Sequence, residues 1–211
     1  MKTALRVLLL GWISLLLAAP MTVPIGQFSA GELQDWKAKS FAGETRYQLV
    51  QQDGRRVLQA DSKGAASGLY RELTVDLERT PYLNWSWRIN NVLNGVDERS
   101  KAGDDYPARV YVVVSGGIAF WKTRSLVYVW SSNQPVGSTW DNAFTGNVKT
   151  IALRSGNSKN WFSEKRDVRA DFKRLFGDDI KQIDAVALMT DTDNSRQTAT
   201  AWYGDIYFSA E

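Results

Sequence analysis

Residues 82–89, with the sequence YLNWSWRI, alternate between apolar and polar side chains, and this period of two is the strongest constraint on the fold. Successive side chains of a β-strand point to opposite faces of the sheet. The pattern therefore predicts a strand with one buried and one solvated face, as is typical of antiparallel sheets. Trp85 and Trp87 share the apolar face with Leu83 and Ile89, so both tryptophans are assigned to the core.

Short segments of similar character recur along the chain and are separated by turn residues. The expected strands cover residues 45–51, 55–60, 67–77, 125–130, 148–154, 183–189 and 199–208. Asp53-Gly54, between the first two segments, is a strong signal for a hairpin turn. About ten short strands in all predict an all-β, mainly antiparallel fold, in the form of a jelly-roll, galactose-binding-like β-sandwich.

One short amphipathic helix is expected near residues 168–176. Its apolar positions follow the spacing i, i+4, i+7 and i+8 and are Val168, Phe172, Leu175 and Phe176. Asp167 is a suitable N-cap and Gly177 a suitable C-cap. We expect this helix to pack across an end or an edge of the sheets.

The first 20 residues have the pattern of a secretory signal peptide, with Lys2 and Arg6 before an apolar stretch over residues 7–17. That stretch is shorter than the about 20 residues that span a membrane. We expect a signal peptide over residues 1–19 and a single β-sandwich domain over residues 28–211. The protein would then be periplasmic or secreted, with no membrane span after signal removal. The alternative is an uncleaved anchor.

Two missing residue types exclude several classes of site. The chain has no Cys and no His, which excludes disulfides, zinc-thiolate sites, imidazole metal sites and Ser-His-Asp triads. Any catalysis would depend on carboxylates, Lys or Tyr, and any metal would be a hard cation such as Ca²⁺. The 26 basic and 23 acidic residues nearly balance, and there is no basic run, so we predict no nucleic-acid binding.

Residues 103–114, GDDYPARVYVVV, carry the leading candidate site. Arg109 and Tyr111 lie on one face of the predicted strand, opposite its valines, and Asp104 and Asp105 lie in the loop that enters it. Carboxylates and a guanidinium are directional hydrogen-bond partners for the hydroxyl groups of a ligand. The alternative is that Arg109 pairs with one of the two aspartates and only fixes the loop.

Three further residues are candidates for the same ligand. Trp140 lies in a loop with Gly and Asn, where an exposed ring is expected, and a sugar ring packs its C–H face on such a ring. In the last strand, Tyr203 and Asp205 alternate with Trp202 and are placed on the open face. Core packing is the alternative for each aromatic ring.

Asp191 and Asp193 have a spacing that suits a Ca²⁺ site. The EF-hand pattern is not met, because Arg196 stands where that loop requires Gly. The alternative is a turn in which these side chains bind the local backbone.

Three motifs stand out and are, in chain order, PYLNWSWRI at 81–89, GDDYPARVYVVV at 103–114 and TDTDN…AWYGDIYF at 190–208. They resemble those of the domain of unknown function family 3047. The resemblance covers residues 28–208. It implies an exported bacterial protein and brings no established activity. The terminal strand and the acidic loop before it also look like jelly-roll carbohydrate-binding modules, a likeness of architecture that is only an analogy for function.

These observations favour a non-catalytic envelope protein that binds a glycan or a similar cell-envelope polymer. One alternative is a carboxylate-dependent glycan hydrolase or lyase, which needs two carboxylates about 5–10 Å apart. Asp104 or Asp105 would form such a pair with Asp205 if their strands are neighbours. The other alternative is a periplasmic protein-interaction module, which predicts an exposed apolar patch.

Overall fold

The computed structural model describes residues 21–211, which form fourteen β-strands and one α-helix. The strands are β1 (Thr22–Gly26), β2 (Lys37–Ala42), β3 (Arg46–Gln52), β4 (Arg55–Lys63), β5 (Ala66–Asp76), β6 (Tyr82–Ile89), β7 (Ala108–Val114), β8 (Arg124–Ser131), β9 (Thr139–Asn142), β10 (Thr145–Ser155), β11 (Phe162–Asp167), β12 (Gln182–Asp191), β13 (Thr198–Tyr203) and β14 (Ile206–Ser209). The helix α1 covers Val168–Phe176. The predicted signal peptide lies outside the described residues.

Two seven-stranded sheets pack face to face, which confirms the predicted β-sandwich. Sheet A joins β1, β14, β6, β13, β4 and β3 in that order, and β11 pairs with the other edge of β6. Sheet B has the order β2-β5-β12-β7-β8-β10-β9. All pairs are antiparallel except β8 with β10. Among residues 21–211, no helix is long and apolar enough to cross a membrane.

The core between the sheets contains the tryptophans of β6, as predicted. The ring centroids of Trp85 and Trp87 lie 5.4 Å apart in an edge-to-face arrangement, a geometry that aromatic pairs favour. Tyr128 of β8 packs on Trp85 from the opposite sheet, with a centroid distance of 5.4 Å. The alternation in β6 is thus explained by burial of its apolar side chains against sheet B.

Helix α1 has the predicted bounds and caps. The side chain of Asp167 accepts a hydrogen bond from the Ala170 N–H at 2.9 Å, and Gly177 ends the helix with a left-handed φ of 78°. Val168 and Phe172 are fully buried and belong to the core. The helix therefore covers an end of the sandwich with its apolar side.

The last predicted strand is two strands, and this changes the placement of Tyr203. A break at Gly204-Asp205 separates β13 from β14 and shifts the alternation by one position. Tyr203 points into the core and is fully buried, while Trp202 lies on the outer side, so the prediction that Tyr203 faces the open side is wrong. A Cβ atom at position 204 would collide with the Ser86 hydroxyl, so any side chain there would force that hydroxyl to move.

Candidate functional site

The outer face of sheet B, which points away from the core, presents one row of side chains that crosses all seven strands. In order across the sheet these are Lys37, Tyr70, Ala187, Tyr111, Val127, Thr150 and Trp140. Tyr106, Val127, Val129 and Ala152 form a second apolar cluster on this face, with Tyr111 and Trp140 against it. The outer face of sheet B is therefore apolar and aromatic in its centre.

Arg109 lies beside this row, and its guanidinium is almost completely buried. It forms ion pairs with Asp191 and, at 3.4 Å, with Asp104. The rings of Tyr106 and Tyr111 flank the guanidinium, with centroids 4.7 and 5.8 Å from its carbon. The cation–π contacts and the carboxylates together offset the desolvation of the charge. Arg109 thus fixes the acidic loop, as the structural alternative predicts, and its two partners are Asp104 and Asp191.

Asp105 is fully buried and fastens the entry loop of β7 to the loop after β12. Its carboxylate accepts hydrogen bonds from the backbone N–H of Ser195 at 2.6 Å and of Asn194 at 3.3 Å. Asp191, in turn, accepts from the Tyr106 N–H at 3.2 Å. The two acidic loops predicted from separate parts of the sequence therefore form one structure.

The carboxylates of Asp105, Asp191 and Asp193 place one oxygen each within 4.8 Å of one another. Burial and then the negative charge of Asp105 raise the pKa of Asp193. Oxygen ligands of this kind suit a hard cation such as Ca²⁺. Such an ion would be held by these three side chains and would compete with Arg109 for Asp191.

Glu98 is a buried carboxylate in the connection between β6 and β7. It accepts hydrogen bonds from the Ser131 hydroxyl and, at 2.5 Å, from the Ser132 N–H at the end of β8. Burial raises the pKa of Glu98, and these hydrogen bonds lower it in part. Its backbone oxygen accepts from the Tyr106 hydroxyl at 2.9 Å. Glu98 thus ties the long connection to the outer face of sheet B.

A groove runs along this face in two parts. The first is a cavity of about 420 Å³ whose wall includes Asp104, Arg109, Asn142, Phe144, Asp191, Asp193 and Asn194. The second, of about 410 Å³, lies over Tyr70, Ala185 and Ala187. Phe41, Tyr111 and Met189 line both parts and join them. The end that carries Asp104, Asp191, Asp193 and Arg109 is called the polar end, and the Tyr70 end has Lys39 and Glu72 beside its apolar side chains.

Trp140 is half-buried, so the prediction of an exposed ring is wrong. Its indole packs on the Tyr106 cluster, and Arg99 lies over it at 5.5 Å from the ring centroid. The cause is that residues 139–142, expected to be loop, form β9 at the edge of sheet B. Trp140 therefore supports the floor beside the groove and is not among the residues that line its two parts.

Tyr203 and Asp205 lie away from the groove. Tyr203 is in the core, where its hydroxyl donates to the Met189 oxygen at 2.9 Å. Asp205 lies in sheet A and accepts from the Ser29 N–H at 2.8 Å, whereas Asp104 and Asp105 precede a strand of sheet B. Their strands are not neighbours, so the proposed catalytic pair with Asp205 does not form.

Several groove residues were not predicted from the sequence. They are Phe41, Tyr70, Asn142, Phe144 and Met189. Their positions depend on strand order, since β2, β5, β9 and β12 come from distant parts of the chain. In the structure Phe41 and Phe144 are both exposed, and contiguous exposed apolar surface often marks a binding site.

Residues 34–207 match the family described as "Protein of unknown function (DUF3047)", and the chain belongs to this family, as the sequence motifs predict. No curated protein matches the sequence.

Solved structures with a similar architecture include carbohydrate-binding modules and β-glucanases. The family 11 carbohydrate-binding module of Lic26A-Cel5E from Clostridium thermocellum has a TM-score of 0.45 and 11% identity, and the match covers 90% of this chain and 95% of the module. Endoglucanase Cel12A from Rhodothermus marinus has a TM-score of 0.43 and 12% identity, with 90% and 98% covered. At these values the likeness carries no argument about function, which must come from the groove itself.

Proposed function

We propose that this member of the DUF3047 family binds a neutral glycan in the groove on the outer face of sheet B. The observation that carries the proposal is the position of Tyr70 and Tyr111 in one cross-strand row, with Ala187 between them. Each is separated from Ala187 by one strand spacing, so the two tyrosines lie about 10 Å apart across the sheet. The small alanine leaves the floor open between two aromatic rings, which suits successive pyranose rings that pack on aromatic surfaces.

The polar end of the groove supplies directional partners for sugar hydroxyls. Asn142 donates to Asp104 at 2.9 Å, which holds that carboxylate in the cavity wall. Arg109 lies in the same wall, where its guanidinium is paired with Asp104 and Asp191. A hydroxyl both donates and accepts, so it can bind a carboxylate oxygen and an N–H group at the same time. The groove volume is in the range of small-molecule sites.

Charge favours a neutral over an acidic glycan in this groove. Asp104, Asp191 and Asp193 line the polar cavity, and Arg109 is their only cationic neighbour in its wall as far as the described residues go. Asp105 adds a further carboxylate behind the wall. An anionic sugar would meet this excess of negative charge in a partly desolvated site, where like charges repel strongly.

The test is a glycan array that carries neutral and acidic oligosaccharides, followed by calorimetry with each neutral oligosaccharide that binds. Tyr111→Ala should weaken that binding about tenfold or more, because it removes a central stacking ring. Tyr207→Ala is the matched control, since Tyr207 is an exposed tyrosine on sheet A. Unchanged affinity in Tyr111→Ala with the fold intact would refute this site.

The same array with Ca²⁺ and with EDTA tests the acidic cluster. Binding that is lost in EDTA would assign a metal to Asp105, Asp191 and Asp193, and binding that persists would assign the ligand contacts to Tyr111 and Arg109. The proposal includes export, supported by the signal pattern of residues 1–20. Sequencing the N-terminus of the protein from the periplasmic fraction and the medium tests the cleavage and the compartment.

A further inference from the structure

A separate cavity lies on the outer face of sheet A, at the break between β13 and β14. It has a volume of about 380 Å³ and includes Gly204 and Asp205 of the break together with Ser86 and Ser163 of the adjoining strands. The hydroxyls of Ser86 and Ser163 make no hydrogen bond within residues 21–211. The break thus leaves a polar depression in the middle of an otherwise continuous sheet.

Three cations line this cavity, namely Arg55, Arg56 and Lys165. None of them forms an ion pair with a carboxylate in the part of the chain that the structure describes. Other surface cations do find partners, such as Lys37 with Glu72 at 2.6 Å. The cavity wall therefore carries three cations that make no ion pair within the described residues.

Neutral groups hold the three cations in place. The Arg55 guanidinium stacks on Trp161, with its carbon 3.8 Å from the ring centroid, and the Trp161 indole donates to Asp53 at 2.8 Å. The Lys165 amine lies 4.6 Å from the centroid of the Tyr82 ring.

The end of the Arg56 side chain lies against Gly31. Gly31 has a left-handed φ of 86°, and any Cβ there would collide with the Arg56 guanidinium. The arginine therefore packs closely on this glycine. All three cations thus lie against neutral groups, and none is paired with a carboxylate among the described residues.

Two carboxylates in the cavity wall are already engaged. Glu164 accepts from Arg154 at 2.6 Å and from the Trp87 indole at 2.9 Å. Asp205 accepts from both the N–H and the hydroxyl of Ser29. Neither forms an ion pair with the three cations, so the wall carries three cations and two carboxylates, a formal net charge of +1.

We propose that this cavity binds an oxyanion group, a carboxylate or a phosphate, carried by a solute or by a polymer that crosses sheet A. Guanidinium N–H groups form strong charge-assisted hydrogen bonds to such oxygens. The hydroxyls of Ser86 and Ser163 supply neutral donors beside them. This site is independent of the glycan groove, which lies on the opposite sheet and has the opposite charge.

The test is calorimetry of the purified protein with two probes, inorganic phosphate and trigalacturonate, at low and at high salt. We expect saturable one-site binding of at least one probe, weaker at high salt because the cations are exposed. The triple variant R55Q/R56Q/K165Q should lose this binding, and each single variant should weaken it about tenfold. Which probe binds assigns the source as a phosphate or a carboxylate group.

Lys63→Gln is the matched control, because Lys63 is an exposed cation at the other end of β4. The affinity of Lys63→Gln for each probe should equal that of the wild type. Chemical-shift changes at the Trp161 indole N–H and the Gly204 amide on titration of the wild type would place the ligand without any variant. No binding of either probe, full binding by a folded triple variant, or equal weakening by Lys63→Gln would overturn the proposal.

Discussion

Arg109→Leu should destabilise the protein severely, because it removes the cation that the buried carboxylate of Asp191 depends on. The exposed fractions of the two side chains are 6% and 2%. Breaking a buried ion pair from one side costs about 3–5 kcal/mol, since the remaining charge is left desolvated. The variant also loses the contacts of the guanidinium with Tyr106 and Tyr111.

Urea unfolding is the assay that measures this loss. A domain of this size has a free energy of unfolding of about 5–15 kcal/mol. With a dependence of about 2 kcal/mol per molar urea, the expected loss lowers the midpoint by roughly 2 M. The measurement needs no ligand, so it tests the Arg109 cluster independently of the proposed function.

A double-mutant cycle separates the ion pair from the packing of the side chain. Asp191→Asn keeps an oxygen to accept from the Tyr106 N–H, and the double variant R109L/D191N leaves only the more exposed partner, Asp104, without its cation. The double variant should therefore be more stable than Arg109→Leu alone. At the least, its loss of unfolding free energy should be far smaller than the sum of the two single losses. Additive losses, or a loss below about 1 kcal/mol in Arg109→Leu, would refute the ion-pair reasoning.

Three further predictions use the same unfolding assay. Burial raises the folded-state pKa of Glu98 above its ordinary value of 4.5, so its ionisation costs stability as the pH rises through that folded-state pKa. The unfolding free energy of E98Q should therefore rise relative to that of the wild type as the pH rises from about 4.5 through the folded-state pKa, and a pH-independent difference would contradict this. Asp167→Ala should cost about 1 kcal/mol by loss of the N-cap bond to Ala170, whereas Asp167→Asn should stay near the wild type. Gly204→Ala should lower the free energy of unfolding by about 1–3 kcal/mol, because its Cβ collides with the Ser86 hydroxyl. The double variant S86A/G204A should recover part of that loss. If it recovers none, the loss does not come from the contact with Ser86.

The sequence predicts the β-sandwich well because the signals for its strands and its helix come from residues that are close together in the chain. The alternation of β6 and the caps of α1 depend on residues a few positions apart, and both have the predicted bounds. The Asp53-Gly54 hairpin is also confirmed, with both residues at positive φ. The wrong prediction for Tyr203 has a local cause as well. The pattern predicts one strand over residues 199–208, but the break at Gly204-Asp205 changes which alternate residues face the core.

The groove is less predictable because it depends on pairing between distant strands. Asp105 and Asp191 are 86 positions apart, yet their carboxylates approach one another because β7 and β12 are neighbours. Tyr70 and Tyr111 face each other across β12, which follows both of them in the chain. Periodicity gives the face of a strand on which a side chain lies, but it does not give the neighbour of that strand.

The nearly balanced charge of the whole chain gives no sign that the cavities on its two outer faces differ in charge. Basic and acidic residues nearly balance over the whole sequence, but the sheet B cavity is lined by carboxylates around Arg109 and the sheet A cavity by Arg55, Arg56 and Lys165. Local charge, not the total, determines which ligand a site attracts at distances within the Debye length of about 8 Å. Neutral sugar rings would therefore bind over Tyr70 and Tyr111 on sheet B, and anionic groups would be excluded from that groove and favoured at the sheet A cavity. Binding of a neutral oligosaccharide should consequently be unchanged in R55Q/R56Q/K165Q, and binding of an oxyanion probe unchanged in Tyr111→Ala; coupling between the two would show that the faces do not act as separate sites.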